Sequence, residues 1–160
     1  MHRPEIDVRA ATAADAPALA RLRFAFRSEY QRVVEPESEF VARCEPWMRD
    51  RLARESPWRA WVAVRPDHRA LAGTLWLQLI EKLPNPGAET ELHAYITSVY
   101  IHPEIRNAGI GSRLIEAALA SCRATQVDTV FLWPSSRSRP LYARHGFAPP
   151  NDIFSRRLGE

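Results

Sequence analysis

Hydrophobic positions along the chain change period several times, and each change marks an element. Ile6-Asp7-Val8-Arg9 alternates and predicts a short first strand. Thr12 followed by Asp15 gives a helix start, and Leu19, Leu22, Phe26 and Tyr30 then recur at spacings of three and four. An acidic, proline-containing break at Glu35–Glu39 separates this helix from a second, over Phe40 to Arg54, bent or restarted near Pro46. Trp58–Val64 and Leu71–Glu81 are rich in Val, Leu and Trp, and the Pro66-Asp67-His68 turn between them predicts a hairpin.

Leu83–Gly87 carries the turn residues of a loop. His93 to Ile101 predicts a long strand with Tyr95, Thr97, Val99 and Ile101 on one face and Ile96, Ser98 and Tyr100 on the other. Ile110, Leu114, Ala118 and Cys122, flanked by Ile115 and Leu119, form the apolar stripe of a core-facing helix. Val127–Trp133 is a further strand, stopped by Pro134. Pro140 opens and Gly146 closes a last short helix, and the tail from Phe147 to Leu158 predicts a weak edge strand. A hairpin in the first half and βαβ-like order in the second predict an α/β protein with one mixed sheet and helices on both of its faces.

Composition narrows the function classes. At 160 residues the chain has the length of a single domain, residues 1–160. Charged residues are 26% of the total and the formal net charge is +3, with Lys82 the only lysine. The arginines are interleaved with acids and form no basic block, which argues against a nucleic-acid partner. The longest apolar run, around Leu71–Ile80, is far short of the ~20 residues of a membrane span. Residues Met1-His2-Arg3-Pro4-Glu5 lack the apolar core of a signal peptide. Cys44 and Cys122 are too few for a disulfide framework or a cysteine-rich zinc site, and no His, Asp and Glu spacing suggests another metal. A reduced, cytoplasmic setting and a metal-free protein are the expectation.

The candidate chemistry lies in the turn Ile105-Arg106-Asn107-Ala108-Gly109-Ile110-Gly111-Ser112-Arg113, entered from a strand and leaving into a helix. Two glycines allow close backbone approach, and the first N–H groups of the helix have no helical acceptor, so the turn is an anion cradle. It is not a dinucleotide fingerprint, because Leu114 stands where a third glycine is needed. Nor is it a P-loop, because Ser112 and Arg113 follow Gly111 in place of Lys and Ser/Thr. Ser112 also lacks the flanking glycines of a hydrolase nucleophile elbow.

The remaining pattern, Arg-x-x-Gly-x-Gly, resembles that of the GCN5-related N-acetyltransferase (GNAT) family. Two further segments are similar in register: Ser98-Val99-Tyr100-Ile101-His102-Pro103-Glu104 before the loop, and Leu141-Tyr142-Ala143-Arg144-His145-Gly146-Phe147 after it. The element order also resembles the family over roughly residues 6 to 158. The resemblance implies a mostly antiparallel mixed sheet of six to seven strands with about four helices. It implies an acyltransferase that moves an acetyl group from acetyl-CoA, as cosubstrate, to a primary amine on a small molecule or peptide by direct attack. It further implies that Arg106, Asn107, Ala108, Gly109, Ile110, Gly111 and Ser112 grip the pyrophosphate. Val99, Tyr100 and Ile101 would flank the pantetheine arm, with the Ile101 N–H facing the thioester carbonyl as the oxyanion donor and Tyr142 facing the sulfur as the general acid that protonates the departing thiolate.

Departures from the family are as informative. Ser135 stands where many relatives have a cofactor-binding asparagine, and a hydroxyl offers fewer hydrogen bonds than an amide. Where many relatives have a catalytic glutamate, this chain has Tyr95. His93 lies on the same strand face and imidazole titrates in the useful range, with Glu91 one step further out. Tyr95, His93 or Thr97 holding a water, or bulk solvent, are the alternatives for the base. Arg106, Arg113 and Arg137 are candidate phosphate ligands. Phe26, Tyr30, Glu37, Glu39, Phe40, Trp47 and Trp76 are the candidates for the acceptor pocket, where acids beside aromatics would suit a cationic amine. Family members are often dimers, so the resemblance leans towards a homodimer. A non-catalytic acyl-CoA-binding module, or an enzyme using a longer acyl group, are the competing readings.

Overall fold

The computed structural model describes residues 5–66 and 70–159. The Asp67-His68 part of the predicted hairpin turn and the residues before Glu5 lie outside them. Five strands form one sheet in chain order: β1 (Asp7–Ala10), β2 (Trp58–Val64), β3 (Leu71–Glu81), β4 (Leu92–Ile101) and β5 (Thr129–Phe131). Neighbours from β1 to β4 are antiparallel, and β5 runs parallel to β4. Helices α1 (Ala16–Tyr30) and α2 (Glu37–Ala53) cover one face, and α3 (Ile110–Ala124) and α4 (Arg139–Arg144) the other.

The alternation of β2 builds two cores. Ala60 and Val62 pack with Ala16, Leu19, Ala20, Met48 and Trp76 beneath α1 and α2. Trp61 and Ala63 turn the other way and join Leu75, Leu77, Ala94 and Ile96 against Ile110, Leu114, Ile115 and Ala118 of α3. The predicted α3 stripe is therefore the one that is buried. α1 is preceded by a short 3-10 turn over Ala13–Asp15, and the Thr12 N–H donates to Asp15 Oδ2 at 2.8 Å. α2 begins at Glu37, about a turn before the predicted start, since Glu37 and Glu39 suit the positive end of a helix. It continues through Pro46 without a break.

Four sequence expectations are corrected. Among the described residues the sheet has five strands, not six to seven. Among the described residues the tail after Gly146 forms no strand: Pro149 and Pro150 have no N–H to donate, and Ile153, Phe154 and Leu158 are exposed. β5 is only three residues long, and Leu132 and Trp133 leave the sheet instead of extending it.

The fourth correction shapes the site. Thr74 pairs with Tyr100 but Trp76 pairs with Thr97, so β4 carries one extra residue, a bulge at Ser98–Val99 opposite Leu75. Ser98 takes φ +53°, unusual for a residue with a Cβ. Past the bulge every side chain changes face. Val99 and Ile101 therefore sit with Ala94 and Ile96 on the α3 side, while Tyr100 packs against Phe26 of α1 at 5.5 Å between ring centroids. Simple alternation had grouped Val99 and Ile101 with Tyr95 and Thr97.

Candidate active site

β4 and β5 pair only from His93–Thr129 to Tyr95–Phe131. Beyond that point the bulge turns β4 and β5 stops at Phe131, so the two strands part. Two connecting clefts occupy the gap. The first, about 470 Å³, is floored by Val99, Tyr100 and Ile101 and walled by Arg106, Asn107, Gly109, Ile110, Gly111 and Ser112. The second, about 510 Å³, is lined by Tyr95, Thr97 and Ser98 on one side and Trp133 and Ser135 on the other. Phe26, Tyr30, Val99, Arg137, Ser138 and Tyr142 line both and define the junction.

The anion cradle has the predicted form. Asn107 takes φ +63° and Gly109 φ +79°, so the chain turns sharply into α3. The first helical bond runs from the Arg113 N–H to the Gly109 carbonyl at 3.2 Å. The N–H groups of Ile110, Gly111 and Ser112 are left without helical acceptors at the positive end of a 15-residue helix. A Cβ on Gly109 would meet nothing within 4 Å, so the surface there is open to a ligand. On Gly111 it would stand 3.1 Å from Leu141 Cδ2, so this glycine lets α4 pack close to α3. The cradle fits a diphosphate through main-chain donors. Ala108 packs into the core instead of lining the cleft.

The arginines behave differently from expectation. Arg106 is occupied: Nε donates to the Ile101 carbonyl at 2.9 Å, and Nη2 donates to both carboxylate oxygens of Glu29 at 3.0 and 2.9 Å. Glu29 also accepts from the Tyr100 hydroxyl at 3.0 Å. This triad ties α1 to the loop and holds the loop's shape. Burial would raise the Glu29 pKa, but the hydrogen bonds from Arg106 and Tyr100 outweigh it and hold the carboxyl below its ordinary range. Burial, then the bond to Glu29, push the Tyr100 phenol up to about 12. Arg113 donates to the Ile6 carbonyl and so pins the chain end ahead of β1. Arg137 donates to the Tyr30 hydroxyl at the junction, where it remains within reach of a ligand. Arg144 lines the first cleft and was missed in the sequence, where one arginine on a short helix carries no distinguishing signal.

Tyr142 is buried at the junction, against Phe147 at 5.8 Å, and burial pushes its phenol up to about 12. Tyr95 lines the second cleft, stacked on Phe131 at 5.5 Å and edge-on to Trp133 at 5.1 Å. His93 does not join it there. It lies at the start of the β4–β5 pairing, with Nδ1 3.9 Å from Asp128, outside the lining of either cleft. Ser135 lines the second cleft, its hydroxyl 2.9 Å from that of Ser138. Ser98 Oγ is buried with no partner among the described residues, an orphaned polar atom beside the junction.

Of the predicted acceptor residues, Phe26 and Tyr30 reach the clefts. Phe40 packs on Phe24, Trp47 on Trp58, and Trp76 is core, while Glu37 and Glu39 are exposed and line neither cleft. Arg23 and Arg27 of α1 line the second cleft and were also missed. Their signal was a pair of arginines one helical turn apart, bracketing Phe26. Burial raises the pKa of both cysteine thiols, Cys44 and Cys122, which keeps them protonated and unreactive. Among the described residues no group of His, Cys, Asp and Glu could hold a metal ion, and no helix is long and apolar enough to cross a membrane.

The sheet splays at a bulge, the N-terminus of α3 faces the gap, and a tyrosine stands at the junction of the two clefts. The profile of the Acetyltransferase (GNAT) family matches residues 19–147, and the chain belongs to that family. Among solved structures, it is similar to a GCN5-related N-acetyltransferase from Ralstonia eutropha JMP134, with 25% identity, TM-score 0.76, and 96% of this chain and 99% of that one covered. It shares the fold of a predicted acetyltransferase with acetyl-CoA from Clostridium acetobutylicum, at 18% identity, TM-score 0.72 and 96% coverage of each chain. It also shares that of glucosamine-6-phosphate N-acetyltransferase from Arabidopsis thaliana, at 15% identity, TM-score 0.69 and coverage of 96% and 99%. No curated protein matches the chain. Family membership supports acyl transfer in general.

Proposed function

We propose that the protein transfers an acetyl group from acetyl-CoA to a primary amine by direct attack. The observation that carries this reading is the continuity of the two clefts through Tyr142. A diphosphate on the Ile110, Gly111 and Ser112 amides would lead the pantetheine arm along Val99–Ile101 to a thioester at the junction. The second cleft then opens onto that carbonyl from the other side.

The chemistry follows from the groups at the junction. The amine attacks as the neutral base, its nitrogen bonding to the thioester carbon while the carbonyl oxygen becomes an oxyanion. The Val99 N–H, on one of the two bulge residues that have no register partner and the one of them that lines both clefts, is the donor for that oxyanion. The Ile101 N–H lies a step towards the diphosphate and serves the pantetheine arm, since Ile101 lines the first cleft alone. Collapse breaks the C–S bond and leaves CoA as the thiolate, which takes up the proton lost by the amine. Tyr142, with a phenol near 12 against ~8.5 for an ordinary thiol, holds its proton and stabilises the sulfur by hydrogen bonding. Full proton transfer from it would be uphill by ~4–5 kcal/mol at ~1.4 kcal/mol per unit.

The base is a water held by Tyr95 or Thr97, or bulk solvent, in preference to His93, which lines neither cleft. The test is thiol release from acetyl-CoA over a library of primary amines, with Tyr142→Phe as control. Release that depends on the amine, and falls at least tenfold in Tyr142→Phe with acetyl-CoA affinity unchanged, supports the reading. Saturable acetyl-CoA binding without release on any amine would favour a binding module.

A further inference from the structure

The second cleft is cationic and lacks the counter-charge that the rest of the protein supplies. Arg23 and Arg27 bracket Phe26, with guanidinium carbons 5.7 and 5.8 Å from its ring centroid, and both line this cleft with Arg137. Arg27 donates to the Gln31 amide oxygen and Arg137 to the Tyr30 hydroxyl, both uncharged acceptors. Arg23, half-buried, has no hydrogen-bond or ion-pair partner among the described residues. No Asp or Glu among the described residues lines the cleft. On neighbouring α2 and just past its end, by contrast, Arg43, Arg49 and Arg54 are each paired with a carboxylate.

This arrangement is costly in an empty protein. Like charges one helical turn apart repel. Burial, then the charge of Arg27, push the Arg23 guanidinium below its ordinary value, so its surroundings disfavour the cation. A bound oxyanion would relieve both, and the guanidinium fork matches carboxylate and phosphate geometry. The diphosphate of CoA is not that anion: its cradle lines only the first cleft, whereas Arg23 and Arg27 line only the second.

We propose that the acceptor is an amine that carries its own anionic oxyacid group, a carboxylate or a phosphate, received by Arg23 and Arg27 in the second cleft. The proposal rests on the acyl-transfer reading for the reaction, but the anion site has its own readout. The same positive field acts on the amine, because it disfavours an ammonium and favours the neutral nucleophile. A cleft without a carboxylate base thereby still lowers the cost of deprotonation. The earlier expectation of a cationic amine among acids is replaced, since Glu37 and Glu39 are elsewhere.

The test compares matched amines on the protein saturated with CoA or acetyl-CoA. Glycine, β-alanine and glutamate are set against glycinamide, β-alaninamide and putrescine, and phosphoethanolamine against ethanolamine. Calorimetry reads binding and thiol release reads turnover. At least one anionic amine should bind, and should exceed its neutral partner at least tenfold in affinity or kcat/KM. The arm that responds identifies carboxylate or phosphate. Arg23→Gln and, separately, Arg27→Gln should each remove at least tenfold of that preference with CoA affinity within twofold of the parent. Arg27→Gln keeps the test decisive if Arg23→Gln fails to fold. The proposal is overturned if no anionic amine binds, if neutral or cationic amines bind or react as well, or if the variant that folds retains the preference. Arg23-dependent anion binding without turnover would uphold the anion site and count against acyl transfer, whereas absent CoA binding bears on the acyl-transfer reading alone.

Discussion

Gly73→Ala tests how tightly the floor of the first cleft is built. Gly73 of β3 pairs with Ile101 of β4. A Cβ added there would stand 2.7 Å from Ile101 Cδ1 and 2.8 Å from the Tyr100 carbonyl oxygen. The methyl end of Ile101 is free to swing aside. The Tyr100 carbonyl is not, because it belongs to a paired strand whose side chain is anchored through Glu29 to Arg106. An ordinary contact is about 3.4 Å or more, so β3 and β4 must part by about 0.6 Å where the cleft begins. Overpacking of this kind costs ~1–3 kcal/mol. Removing a glycine from the unfolded chain returns ~0.4–1 kcal/mol. The net expectation is a loss of ~1–2 kcal/mol, a Tm lower by roughly 2–8 °C for a chain of this size. Scanning calorimetry reads it, with Gly87→Ala as control, because a Cβ there meets nothing within 4 Å. Acetyl-CoA should also bind more weakly to Gly73→Ala, since the displaced strand carries Val99 and Ile101. A Tm within 1 °C of the parent with unchanged acetyl-CoA affinity would refute the reasoning.

Three further outcomes follow from the same geometry. Gly109→Ala, at φ +79°, should cost ~1–2 kcal/mol in a left-handed conformation and weaken acetyl-CoA binding in calorimetry more than it lowers Tm. Because burial pushes the Tyr142 phenol up to about 12, its ionisation should cause no alkaline fall in the kcat–pH profile below about pH 11. As a phenol raised by folding, it contributes stability in full below ~10 that is lost as the pH climbs through its folded value. Glu29→Gln should destabilise by ~1 kcal/mol, a modest figure because the triad is partly exposed to solvent. The parent should lose this contribution as the pH falls from the ordinary carboxylate value of ~4.3 through the depressed folded one, and a parent–variant Tm difference constant from pH 7 to 3 would contradict that.

Much of the site was legible because it is written in local chemistry. The Gly109–Gly111 turn, the α3 stripe and the Pro140–Gly146 helix each depend on neighbours a few residues away, and period and turn chemistry report those. What was hidden depends on one residue of register or on tertiary pairing. The bulge at Ser98–Val99 leaves no mark in a run of β-formers, yet it reverses the faces of Val99, Tyr100 and Ile101. Arg106 has the sequence of a phosphate ligand, but Glu29, 77 positions away, takes its fork. The tail has enough apolar residues for a strand, and two adjacent prolines with no available partner leave it unpaired. Arg23 and Arg27 sit on an amphipathic helix whose polar positions look solvated until the opposing wall of the cleft is built.

The central claim is that main-chain amides at the start of α3 hold a diphosphate and so fix a thioester between β4 and β5. Titrating the protein calorimetrically with acetyl-CoA and with S-acetylpantetheine, which shares the thioester but lacks the diphosphate, tests it most directly. Saturable acetyl-CoA binding, with S-acetylpantetheine at least a hundredfold weaker, is the predicted result. Equal affinities, or no saturable binding of acetyl-CoA, would contradict it.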